Sequence, residues 1–192
     1  MEMIAARRRL LIAILFCVCP AHLSLSYSGR QYTLIPIRDG KDLTRGNKRV
    51  LVTTPKGCEG SSPTWLEREG INYAVGFYCG PGRLGIDVWA NHRGRDNTAA
   101  VTPTNSYMGV NLETDIRDMK EIGSFDAGVN GKLRIWQFRT YNRNYLLTLI
   151  VQPDNEGRTE VDICLSGEDA DQIMAHKKRL KEVARSIRIV NR

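Results

Sequence analysis

"KLRIWQFRTYNRNYLLTLIVQPDNEGRTEVDICLSG", residues 132–167, carries the clearest fold signal in the chain. Three runs rich in β-branched, aromatic and other apolar residues are separated by "TYNRN" (140–144) and "PDNEG" (153–157), two stretches dense in turn formers. The segment predicts three consecutive strands. The middle run, "YLLTLIV" (145–151), is apolar at successive rather than alternate positions, which suits a strand covered on both faces, so it is expected near the centre of a sheet.

Downstream, "SGEDADQIMAHKKRLKEVARSIRIVNR" (166–192) changes period. Ala170, Ile173, Met174, Leu180, Val183, Ala184 and Ile187 recur at helical spacing, interrupted by Lys177, and predict one long helix. Ser166 is a candidate cap, Glu168, Asp169 and Asp171 stand near the start, and Lys177, Lys178, Arg179, Lys181 and Arg185 fill the later turns. That charge order complements the helix dipole. "IRIV" (187–190) then reads as a short terminal strand.

Upstream, "QYTLIPI" (31–37) and "KRVLVTTP" (48–55) flank a polar turn stretch and predict an antiparallel hairpin. "TWLEREG" (64–70) predicts a short helix. In "GFYCGPGRLGID" (76–87) the glycines precede Arg83 and Leu84 rather than Lys and Ser or Thr opening a helix, so the stretch reads as a turn and not a phosphate loop. Tyr73, Val75, Phe77 and Cys79 alternate on one face, as do Leu84, Ile86, Val88 and Ala90 across the turn; both apolar faces are expected in the core. "NHRGRDNTAAVTPTNS" (91–106) is expected to be an exposed loop, and "YMGVNLETDIRDMKEIG" (107–123) a strand at Val110 and Leu112 passing into a short helix at Ile116 and Met119.

The fold class expected is α+β: a mainly antiparallel sheet of about six to eight strands packed against a long C-terminal helix. The opening strands ending in "TTP" (53–55), the consecutive C-terminal strands and the closing helix running into "ARSIRIV" (184–190) resemble the PsbP/Mog1-like fold of small α/β sandwich proteins. The resemblance implies an assembly or binding factor rather than an enzyme and transfers no binding residue.

Residues 1–26 read as a signal peptide. Arg7, Arg8 and Arg9 precede an apolar run, Leu10 to Val18, too short to span a bilayer, and Ser24 and Ser26 fit a small-x-small cleavage rule that leaves Tyr27 first, with cleavage after Ala21 or Ser28 as the alternatives. Residues 27–192 are expected to form a single globular domain with no later transmembrane span. Of 28 basic and 21 acidic residues, 25 and 20 remain once Arg7, Arg8, Arg9 and Glu2 are removed, an ordinary balance for a secreted domain.

Cys17 and Cys19 leave with the signal, so Cys58, Cys79 and Cys164 can close one disulfide and leave one thiol over. A Cys58–Cys79 bridge closes a short loop; Cys164, also on a strand, is the competing partner. No set of Cys and His has zinc spacing, and no metal or cofactor is expected.

Catalytic signatures are absent. His92, beside Asp96, is accompanied by no "GxSxG" serine, and the acids Glu67, Glu69, Asp115, Asp118, Glu168, Asp169 and Asp171 are read as caps, turns or solvated groups. Arg134, Arg139 and Arg143 lie among Trp136, Phe138, Tyr141 and Tyr145, a mixed basic and aromatic stretch that could edge a ligand surface.

The function expected is a secreted or periplasmic, non-catalytic binding or accessory protein. Its partner is an unidentified protein or an anionic envelope or cell-surface component, not nucleic acid. The surfaces expected to serve are the loop carrying His92, Arg93 and Arg95 and the basic helix with Lys177, Lys178, Arg179 and Lys181. Two alternatives stand beside it: a small secreted hydrolase or thiol-dependent enzyme using His92 or a free cysteine, and an inhibitor or immunity-type protein that blocks a secreted enzyme.

Overall fold

In a computed structural model, residues 29–38, 42–43, 48–61, 72–80, 84–102 and 116–191 are described. The expected signal peptide, the helix at 64–70, the strand at Val110 and Leu112, and the turn carrying Arg83 lie outside them. The strands in chain order are β1 (Gln31–Leu34), β2 (Ile37–Arg38), β3 (Asp42–Leu43), β4 (Lys48–Thr53), β5 (Cys58–Ser61) and β6 (Ala74–Cys79). There follow β7 (Leu84–Gly94), β8 (Arg117–Asp126), β9 (Lys132–Arg139), β10 (Asn144–Asp154), β11 (Gly157–Gly167) and β12 (Arg188–Asn191). Two helices, α1 (Ala170–Ala175) and α2 (Lys177–Ser186), precede β12.

The quoted stretch folds as read. β9, β10 and β11 are antiparallel neighbours, and β10 lies between the other two with Leu146 and Ile150 in one apolar cluster and Leu147 and Leu149 in another on the opposite face. They belong to a large sheet ordered β3-β2-β7-β11-β10-β9-β8, in which β6 shares with β2 the edge of β7 opposite β11, and β5 pairs with β6. Every pairing is antiparallel except the short β2–β7 contact. A second, three-stranded sheet is ordered β1-β4-β12.

The main core forms where β4 and both helices cover one face of the large sheet. Val50 and Val52, Ile173, Leu180, Val183 and Ile187 meet Phe77, Ile86, Val88, Ile163 and Leu165, all fully enclosed. The alternation read in β6 and β7 is what delivers Phe77, Ile86 and Val88, and the same alternation in β11 delivers Ile163 and Leu165, because successive strand side chains point to opposite faces. Asn130, in a 3-10 turn between β8 and β9, donates to the carbonyls of Ala184 and Ile187 (2.9 and 3.0 Å) and so satisfies the end of α2.

Four expectations are corrected. The long C-terminal helix is two shorter ones, because the chain leaves helical geometry at His176 (φ −94°, ψ 5°). The His176 amide contacts the carbonyls of both Gln172 and Ile173, and its ring Nδ1 lies 2.8 Å from the Gln172 oxygen, so the acceptor the next residue needs is already occupied. The cap of α1 is Asp169, which accepts from the amides of Asp171 and Gln172 (2.8 and 3.2 Å), while Ser166 is buried in β11.

The helix expected at Ile116 and Met119 is strand β8. Irregularities between Arg117 and Lys120 and between Glu121 and Gly123 shift its register, so Met119, Ile122 and Phe125 all find apolar neighbours at three-residue intervals. Bulges thus imitate helical spacing. Finally, β1 and β4 pair antiparallel as expected (Gln31 opposite Thr53), but not as a hairpin: β2 and β3 lie between them in sequence and join the other sheet.

Candidate functional site

The disulfide joins Cys58 to Cys79, directly opposite one another on β5 and β6 (S–S 2.07 Å), which leaves Cys164 as the free thiol among the described cysteines. Cys164 lies on the face of the large sheet turned away from the helices. Its neighbours across the strands there are Leu147 and Asp87, and Asp162 and Glu160 follow along the same face of β11. Burial, reinforced by the charges of Asp87 and Asp162, pushes the thiol well above its ordinary range, so it stays a neutral S–H. Burial likewise raises the carboxyl of Asp87 against the pull of Arg143. Under native conditions a maleimide should therefore label no thiol in the 27–192 chain, and after denaturation without reductant it should label one. Fast labelling of the folded protein would contradict the enclosed position.

Glu160 organises this face. It is 2% exposed, its Oε2 accepts from Arg93 Nε at 2.7 Å, and its Oε1 accepts from Arg158 Nε at 2.6 Å. The Nη groups of Arg158 go on to donate to the carbonyls of Asn97 and Ala99 (3.0 and 2.5 Å). The chain leaving β7 is thus drawn back over the sheet, and Val101 packs against the apolar cluster of Phe138, Leu147, Leu149 and Cys164. Gly157 permits the close approach beneath: a Cβ there would lie 1.9 Å from the Arg93 carbonyl oxygen.

His92 and Arg93 were expected in an exposed loop, yet both are in β7, pointing to opposite faces. His92 looks toward the core side, with its Nδ1 3.9 Å from Asp154 Oδ2, and Asp96 is not its partner. Lys48 Nζ stands 2.8 Å from the same Asp154 oxygen and ties the small sheet to the large one. His92 Nε2 is enclosed and has no hydrogen-bond partner, an arrangement that offers a substrate no accessible base.

Burial acts to raise the Asp154 carboxyl, but Lys48, the Glu156 amide and His92 outweigh it and hold the group below its ordinary 3.8. A depressed carboxyl contributes stability above its unfolded-state value and loses it as the pH falls through the folded value. Asp154→Asn should therefore unfold at lower urea than the native chain at pH 7, and the gap should shrink steadily below pH 3.8. A pH-independent gap would show that packing, not charge, is what the substitution removes.

Arg95 is exposed. With Asp96, Asn97, Asn155 and Glu156 it lines an open recess of about 1030 Å³ at the tips of β7 and the β10–β11 turn. The basic helix does not join it. Lys48, beside Asp154 and His92, begins β4, whereas Arg179 donates to the carbonyl of Lys56 beyond the other end of that strand, roughly 17 Å along at 3.3 Å per residue. Arg179 also pairs with Glu182 at 3.8 Å, and Lys181 and Arg185 lie over the Phe125 ring at 5.5 and 5.8 Å. Much of the basic run is thereby engaged within the molecule, while Lys178 is exposed and Lys177 half-buried on α2.

The buried acids Glu160 and Asp162 and the half-buried Asp87 were not singled out from sequence. Their alternation with apolar residues is what a solvent-facing strand surface also shows, so nothing in the pattern separates a covered face from a wet one. Among the described residues no group of three or more metal-ligating side chains is brought together, and no helix is long and apolar enough to cross a membrane. Compared with known proteins, the chain matches no family model and no curated sequence.

Proposed function

We propose that the chain is exported and acts as a non-catalytic binding or accessory protein, contacting a partner protein through the recess lined by Arg95, Asp96, Asn97, Asn155 and Glu156. The observation that carries this reading is the Glu160–Arg158 relay, which fixes the carbonyls of Asn97 and Ala99 and so pre-forms the loop bordering the recess. A loop ordered before contact loses less entropy on binding. One cation against two carboxylates around the recess suits the mixed charge of a protein surface better than an anionic polymer.

The enclosed thiol of Cys164 and the enclosed Nε2 of His92 weigh against the thiol-enzyme and hydrolase alternatives. The inhibitor alternative uses the same recess and differs only in that its partner is an enzyme whose activity falls stoichiometrically. Export rests on Arg7 to Val18 and the small residues after it, and the PsbP/Mog1-like resemblance remains a proposal on the same footing.

The test has two parts. Expression of the full chain should yield an extracytoplasmic product beginning at Tyr27. Immobilised residues 27–192 should then retain a protein from that compartment, with retention lost on Arg95→Glu with Asn155→Arg and kept on Lys177→Glu with Lys178→Glu. Retention indifferent to the first pair of substitutions sinks the recess as the contact surface.

A further inference from the structure

At the opposite end of β10 from that recess, about 33 Å along the strand at 3.3 Å per residue, a second and smaller hollow of about 210 Å³ is lined by Arg117, Arg139, Tyr141, Arg143, Asn144 and Glu168. We propose that it binds a compact oxyanion, a phosphate group, by the convergence of its three guanidinium groups. The inference goes beyond the partner reading and does not depend on it.

Topology brings the cations together. Arg117 on β8 lies directly opposite Arg139 on β9, and Arg139 lies directly opposite Asn144 on β10, so three neighbouring strands present a row whose first two members carry like charge. Like charges directly opposite across strands repel; Asp118 beside Arg139 offsets part of that repulsion, and an anion between the two guanidinium groups would offset more. Arg143, one residue before Asn144, adds the third cation from the β9–β10 turn.

The carboxylates nearby do not occupy every donor of the set. Asp118 pairs with the Nε edge of Arg139 at 2.5 Å, which leaves that guanidinium's Nη donors for another acceptor. Glu168 is the second acid, and its backbone carbonyl accepts from Asn144 Nδ2 at 2.9 Å. Arg143 is also felt by Asp87, so what favours an anion is the grouping of the three guanidinium groups around one hollow and not a surplus of positive charge.

The backbone is distorted at this point. Asp118, at φ 56°, is the one non-glycine residue with positive φ among those described, and it sits inside the register shift between Arg117 and Lys120. Such bulges re-aim side chains and gather near functional sites, where sterically disfavoured backbone is retained for a purpose. Here the kink allows Asp118 to hold Arg139 while Arg117 stacks on the Tyr141 ring at 4.4 Å, which fixes two of the three forks before any ligand arrives. The hollow is smaller than the ~300–1,000 Å³ typical of sites for drug-sized molecules, and planar forks matched to oxygen pairs suit a phosphate. The anion is either free phosphate or the terminal group of a phosphomonoester.

Calorimetric titration of residues 27–192 at low ionic strength with inorganic phosphate and, separately, with methyl phosphate tests this. Both should bind at one site, weakening as salt rises. Arg117→Gln with Arg139→Gln should weaken binding by at least about tenfold, because two charge-assisted donors are removed. Arg139→Lys should also lose affinity although its charge is kept. These side chains are exposed, so circular dichroism should show the variants folded, and Lys177→Gln with Lys178→Gln should bind like the native chain. Binding of inorganic phosphate alone identifies the free ion as ligand; binding of both identifies an ester's phosphoryl end. No binding of either, or undiminished binding by the Arg117/Arg139 variant, overturns the proposal.

Discussion

Replacing Cys58 and Cys79 together by serine is expected to lower the thermal midpoint of residues 27–192 by about 10 °C. The bridge spans a sequence separation of 21 residues, and closing a loop of that size contributes about 3 kcal/mol by restricting the unfolded chain. In a domain of this length each kcal/mol moves the midpoint by roughly 2–4 °C. The native structure adds to the effect: β5 pairs with β6 alone among the described strands, and both sulfurs are buried in the main core. Two hydroxyls at those positions bring unfavourable polar burial with them. Reductant should reproduce most of the drop in the native chain and none in the double-serine variant, as calorimetry would show. A shift of only a degree or two would mean that the β5–β6 ladder holds without the covalent link.

Removal of the Glu160 carboxylate should be comparably severe. Glu160→Gln takes away the carboxylate charge that pairs with both Arg93 Nε and Arg158 Nε, at sites where those side chains are 16% and 20% exposed. Breaking a buried pair from one side destabilises by roughly 3–5 kcal/mol; the partial exposure of both guanidinium groups points to the lower end, about 3 kcal/mol. The loss should be visible as a lower urea midpoint. It should also have a local signature, because Arg158 holds the Asn97 and Ala99 carbonyls only while its own Nε is anchored. Amide exchange across residues 97–102 should quicken more than exchange in β10. Changing Arg93, Arg158 and Glu160 together to Met should restore part of the stability but not the slow exchange of that segment. Unaltered exchange in Glu160→Gln would break the link drawn between the carboxylate and the loop.

What could be read from sequence follows from where periodicity and structure coincide. β10 was legible because a doubly covered strand is apolar on both faces, as Leu146, Leu147, Leu149 and Ile150 are, with Thr148 the one polar residue among them. β6 and β7 were legible through plain alternation. β8 was not, because two register shifts gave Met119, Ile122 and Phe125 the spacing of a helix. The helix break at His176 was signalled only by Lys177 interrupting the apolar stripe, a weak sign beside the seven apolar positions around it.

The candidate surfaces divide in the same way. Arg139 and Arg143 stood out as basic residues among aromatics, but the partner that completes their hollow, Arg117, comes from a strand 22 residues before Arg139 and is placed there by sheet pairing alone. His92, Arg93 and Arg95 were grouped by adjacency. Alternation then sends His92 and Arg93 to opposite faces, so only Arg95 reaches the recess. Local sequence reports which groups are present; register decides which of them meet.

The small sheet has a consequence in time rather than in space. β4 is flanked by β1 on one side and β12 on the other, and the seven strands β5 to β11 are synthesised between β4 and β12. Val50 and Leu51 can therefore gain their second strand neighbour only after Arg188–Asn191 have emerged, and the main core stays unsealed until then. Long-range closures of this kind slow folding. A chain whose last pairing completes its first sheet remains threadable until its synthesis is nearly finished.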